Sequence, residues 1–80
     1  MWKEGTIGIP KKDGGYKAVR YWIKVYDEPS EEYGINGGRI SKLSLKMDGK
    51  WIANYDHGWD LEPTCEEANL ALCILLNGRN

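Results

Sequence analysis

From Tyr16 to Asp27 apolar and polar residues alternate, so that Val19, Tyr21, Ile23 and Val25 fall on one side and Arg20, Trp22, Lys24 and Tyr26 on the other. A period of two over such a length, rich in Val, Ile, Tyr and Trp, predicts a strand buried on one face. An earlier run, Trp2 to Ile9, reads as another strand, stopped by Pro10 and the Lys-Lys-Asp-Gly-Gly turn that follows. After a break at Glu28 to Gly38, alternation resumes from Arg39 to Met47. Asp48-Gly49 then predicts a two-residue hairpin, because a type I′ turn needs positive φ at both central positions.

That turn sets an expected register. Met47 lies opposite Lys50, Leu45 opposite Ile52 and Leu43 opposite Asn54 on one face; Lys46 meets Trp51, Ser44 meets Ala53 and Lys42 meets Tyr55 on the other. Leu43, Leu45, Met47 and Ile52 are then the core side, and Ile40, out of phase, predicts a bulge or a strand start nearer Ser41.

The chain changes period after Pro63. Thr64-Cys65-Glu66-Glu67 has the form of a capping box, and Cys65, Ala68, Leu72, Leu75 and Leu76 share one arc of a helix that Gly78 should end. Leu70 and Ile74 point nearly the opposite way. They are either surface aliphatics or a subunit contact. The expected architecture is α+β, a four-stranded antiparallel sheet followed by one C-terminal helix on one of its faces, in a single domain over residues 1–80.

Size and charge narrow the function. A domain of 80 residues hides only about 60% of its unfolded chain's surface, which favours a homo-oligomer when apolar residues remain outside. The net charge of −1 argues against general nucleic-acid binding, which needs an excess of cations. Cys65 and Cys73 would stand about 12 Å apart along the helix, too far for a disulfide, so free thiols and a cytoplasmic setting are expected. No apolar run has the length of a membrane span, and Met1-Trp2-Lys3-Glu4 lacks the form of a signal peptide.

With the helix on one side, the other sheet face is left open. It gathers Arg20, Trp22, Lys24 and Tyr26 with Lys42, Lys46, Trp51 and Tyr55. Rings that stack beside cations that meet phosphate suit a nucleotide-like anion; the same residues also suit a solvated face with Lys stems lying over indoles. Tyr33, Asn36, Gly37, Gly38, Arg39 and Lys42 offer an anion side to such a site, with Trp22, Trp51, Tyr55 or Trp59 as stacking rings. Gly37-Gly38 could aim backbone amides at an anion, but the segment leads into a strand where phosphate loops lead into a helix, and a plain turn fits equally. The single histidine, His57, has Asp56 and Asp60 nearby but no second histidine and no placed nucleophile, so it reads as part of a turn. No catalytic residue, metal ligand or cofactor is assigned, and an enzyme is not expected.

Several blocks carry a family resemblance: V-Y-D-E-P-S at 25–30, G-I-N-G-G-R-I-S-K-L at 34–43, N-Y-D-x-G-W-D at 54–60 and E-P-T at 62–64. Through them the chain resembles an uncharacterised family of short proteins of Firmicutes, their phages and prophages, in which Arg usually stands at the place of His57. The resemblance implies no activity. It implies a setting in which small phage proteins inhibit bacterial immunity, some as compact oligomers that sequester cyclic nucleotide or ADP-ribose signals. The expectation is a non-catalytic oligomeric binder of an anionic nucleotide-like molecule, with Leu70 and Ile74 at the subunit contact; the alternative is a protein-interaction module that inhibits a host defence enzyme.

Overall fold

The computed structural model describes residues 1–79, excluding the side chain of Arg79. Five strands follow one another in a single antiparallel meander: β1 (Trp2–Pro10), β2 (Tyr16–Val25), β3 (Ile40–Met47), β4 (Lys50–Asp56) and β5 (Trp59–Leu61). One helix, α1 (Glu66–Arg79), packs across the β1–β3 side. The α+β class and the C-terminal helix agree with the sequence; the sheet has five strands where four are expected. β5 escapes a periodicity search because it has three residues and lies in a stretch that reads as an Asp-His-Gly turn. It forms because His57 takes a left-handed φ of 58° and the Asp56 amide donates to the Gly58 carbonyl at 2.9 Å, reversing the chain tightly.

Val19, Tyr21, Ile23, Leu43, Leu45 and Ile40 supply the sheet side of the core, and Ala68, Ala71 and Leu75 the helix side. Cys65, Leu72 and Leu76 are only partly buried, because the small Ala68 and Ala71 sit closest to the sheet and let the helix approach. The Cys65 carbonyl accepts from the Asn69 amide at 3.1 Å, so the helix caps at Cys65, one residue after the expected Thr64. It also continues through Gly78 to Arg79. Among the described residues no helix is long and apolar enough to cross a membrane.

Two irregularities decide which residues share a face. Between Lys24↔Lys42 and Val25↔Ile40 the register shifts, leaving Ser41 as the extra residue; this is the expected bulge, and it brings Ile40 into the core at zero exposure. Asp48 and Gly49 take φ of 54° and 77°, as a type I′ turn requires, and Met47↔Lys50 and Lys46↔Trp51 pair as expected. Beyond them the expected register fails. A second bulge leaves Ile52 unpaired, so Leu45 meets Ala53, Ser44 meets Asn54, Leu43 meets Tyr55 and Lys42 meets Asp56. One extra residue inverts every later side chain of β4. Ala53 and Tyr55 therefore enter the core, while Asn54 and Asp56 join the open face.

Candidate functional site

Cross-strand pairing fixes the open face as three rows. Trp2, Lys24, Lys42 and Asp56 form one; Glu4, Trp22, Ser44, Asn54 and Leu61 the next; Thr6, Arg20, Lys46 and Trp51 the third. The Trp22 and Trp51 rings sit between the second and third rows, 5.4 Å apart and tilted by 56°. The Arg20 guanidinium carbon lies 5.2 Å from the Trp22 ring centre, and the Lys46 ammonium 4.9 Å from that of Trp51. Cations at that range are drawn to the ring faces and also keep their remaining N–H groups toward solvent. Trp51 is 54% exposed, so its ring is not consumed by packing.

Polar partners on this face are few. Lys42 reaches Asp56 at 3.5 Å, which offsets its charge. Ser44 Oγ donates to Asn54 Oδ1 at 3.2 Å, fixing the amide in the middle of the sheet. Two shallow depressions flank the indole pair. One, of about 260 Å³, is lined by Ser44, Trp51, Asn54 and Leu61; the other, of about 310 Å³, by Trp2, Glu4 and Trp22. Both lie at or below the smallest volumes usual for enclosed small-molecule sites, so a ligand here would lie on the sheet and leave part of itself exposed.

The glycine-rich segment is a closed turn. The Gly34 amide donates to Ser30 O at 2.9 Å, Gly37 to Gly34 O at 3.1 Å and Gly38 to Ile35 O at 3.0 Å, while Ser30 N–H returns to Gly38 O at 3.0 Å. Asn36 and Gly37 adopt φ of 53° and 72° to make the reversal. The amides of Gly37 and Gly38 are thus turned into the loop, and the Ile35 side chain plugs the end of the core at 2% exposure. The arrangement is the plain turn of the two readings open in the sequence.

Of the other residues singled out from sequence, Trp22, Lys42 and Trp51 stand together on the open face, and Tyr55 and Trp59 do not. The Ile52 bulge turns Tyr55 to the helix side, where its ring meets that of Trp59 edge-on at 5.0 Å and Trp59 packs against the core. Arg39 borders a separate depression with Met1, Lys3 and Gly78. Tyr33 stacks on His57 at 4.5 Å, and the His57 amide donates to Ser41 O at 3.2 Å, so both residues tie the loop to the end of the sheet. Among the described residues no three His, Cys, Asp or Glu side chains gather as a metal site would require. Leu70 and Ile74 are 41% and 50% exposed on α1.

Trp2 and Asn54 join the open face beyond the residues that the sequence places there. Trp2 was legible: extending the β1–β2 hairpin from its Lys-Lys-Asp-Gly-Gly turn puts Trp2, Glu4 and Thr6 on the side of Trp22. Asn54 was not, since nothing in the alternation of β4 announces a bulge at Ile52.

No curated protein and no solved structure matches the chain. A family model described as a domain of unknown function, DUF7678, matches residues 1–80, and the chain belongs to that family.

Proposed function

We propose that the chain is a non-catalytic binding protein for a flat, anionic, nucleotide-like molecule, held against the open face of the sheet. The observation that carries this reading is the Trp22–Trp51 pair with Arg20 and Lys46 laid against its rings. A base stacks on an indole whatever its identity, and the adjacent cations meet phosphate as point charges or, for Arg20, as a two-pronged donor. Ser44 and Asn54 add a polar edge to the Trp51 side, where a ring lying on the indole would present its own donors and acceptors. The glycine turn and Arg39 have no part in this contact, which narrows the site to the sheet itself. Lys24 adds charge at one end of the face.

The protein works as a homo-oligomer that uses the exposed Leu70 and Ile74 of α1. Capture without turnover is what sequestration of a cyclic nucleotide or ADP-ribose signal requires, and a phage-borne sponge against bacterial immunity is the biological form of the proposal. Calorimetry with cyclic dinucleotides, cyclic ADP-ribose isomers and mononucleotides tests it. Binding of one class, with the ligand recovered chemically unchanged after denaturation, is expected. Silence across the panel, repeated with small molecules extracted from host cells, refutes it.

A further inference from the structure

The two edges of the sheet are built differently. β5 has three residues, and Asp60 within it and Glu62 after it are exposed acids. Short charged edges resist pairing with another chain. β1 has nine residues, pairs with β2 without any register shift, and bears no charge from Gly5 to Ile9. Among the described residues no strand lies on its outer side. Alternate residues there turn an N–H and a C=O outward, so the edge is a template for one more strand.

The helix stands beside that edge. α1 runs back along β1, with Glu66 and Glu67 beside Ile9 and Pro10 at one end and Gly78 beside Thr6 and Ile7 further along. Ile74, half exposed, borders a depression of about 390 Å³ with Thr6, Ile7, Tyr21 and Leu75, level with the middle of β1.

We propose that two copies of this chain pair antiparallel along β1, about a two-fold axis perpendicular to the sheet at Thr6, with Ile74 of each copy closing on the other beneath the joined strands. An axis in that direction preserves the faces. Both ring-and-cation surfaces become one continuous surface of a ten-stranded sheet, and both helices share the opposite side.

Charge selects a second copy as the occupant and selects the register. β1 carries one residue of each sign, Lys3 toward the helix side and Glu4 toward the open side, so an acidic or a basic peptide finds no net complement there. Self-pairing centred on Thr6 overlaps the whole strand and keeps like charges apart: Lys3 faces Ile9, Glu4 faces Gly8, Trp2 faces Pro10 and Thr6 faces its own counterpart. A centre at Lys3 or Glu4 would set like charges opposite each other. The second copy also supplies a wall to the depression at Trp2, Glu4 and Trp22, which lies at the β1 margin of the open face. The inference deepens the oligomer part of the function proposed above and needs no ligand, so the two fail separately.

Disulfide trapping decides it. In a Cys73→Ser background, Thr6→Cys brings two thiols together across the axis, where opposed Cα atoms of antiparallel strands stand about 4.5–5.5 Å apart, within disulfide range. Glu4→Cys is the control, since its counterpart lies four residues along the strands, about 13 Å away. Light scattering on the native protein at micromolar concentration should give twice 9.1 kDa. Oxidation should give a covalent dimer of Thr6→Cys and not of Glu4→Cys, and Thr6→Lys and Ile74→Glu should elute as monomers with native circular dichroism. A monomeric native protein, equal cross-linking at positions 4 and 6, or a dimer undisturbed by Thr6→Lys overturns the proposal.

Discussion

Gly34→Ala separates a structural loop from an anion cradle. A Cβ at position 34 would overlap the Gly38 carbonyl and crowd that of Ser30, both parts of the backbone. Backbone cannot swing aside as a side-chain tip can, so the substitution must push the two strands of the loop apart. The displaced Gly38 carbonyl loses the Ser30 amide, worth about 1 kcal/mol net, and the forced separation adds about 1–3 kcal/mol of overpacking strain. The total is about 2–4 kcal/mol. For a domain of this size each kcal/mol moves the midpoint by about 4–8 °C, so thermal unfolding followed by circular dichroism should fall by about 10–30 °C. Gly37→Asn is the internal control. Its φ of 72° is one that Asn tolerates and nothing lies within 4 Å of the added Cβ, so the cost should stay below about 1 kcal/mol. A Gly34→Ala midpoint within a few degrees of native, or a larger loss for Gly37→Asn, would refute the account of the loop as a closed lock on Ile35.

Tyr55→Ala should cost about 3–5 kcal/mol as a truncation in the core, whereas Tyr55→Phe should bind any open-face ligand with native affinity; a loss of ligand on Tyr55→Phe in calorimetry would put the ring back in the site. Leu75→Ala, at 3% exposure, should lower the urea unfolding free energy by about 2–5 kcal/mol. Leu70→Ala should lower it by less than about 1 kcal/mol under dilute conditions where copies separate. Lys17→Ala removes a bond of 2.5 Å to Asp48 between partly exposed side chains and should cost under about 1 kcal/mol, less at high salt, by the same measurement.

The strands that could be read from sequence are those whose burial is one-sided and uninterrupted. β2 alternates cleanly because Val19, Tyr21 and Ile23 are buried on one face while their neighbours are not, and Asp48-Gly49 announces its turn through a dipeptide that suits two left-handed residues. The bulge near Ser41 was legible because Ile40 broke phase ahead of a strong run. The bulge at Ile52 was not: Trp51 and Ile52 sit in an apolar-rich stretch where either residue suits either side, so the pattern held no contradiction to report. That single residue moved Tyr55 from its expected place opposite Lys42 into the core and put Asp56 there, with Asn54 opposite Ser44 where Ala53 is expected. The turn at Ile35–Gly37 hid its purpose for a different reason. Glycines favour an anion nest and a tight reversal alike, and only the partners of their amides distinguish the two.

The most direct test is a titration of native protein, Trp22→Ala and Arg20→Ala with the panel molecule that binds best, read by calorimetry at two salt concentrations. Stacking on Trp22 is worth about 1–3 kcal/mol, so affinity should fall about 5- to 150-fold in Trp22→Ala. In Arg20→Ala the affinity should fall and its salt dependence should flatten. A ligand held equally well by all three proteins would mean that the indole and guanidinium groups of the sheet take no part in capture.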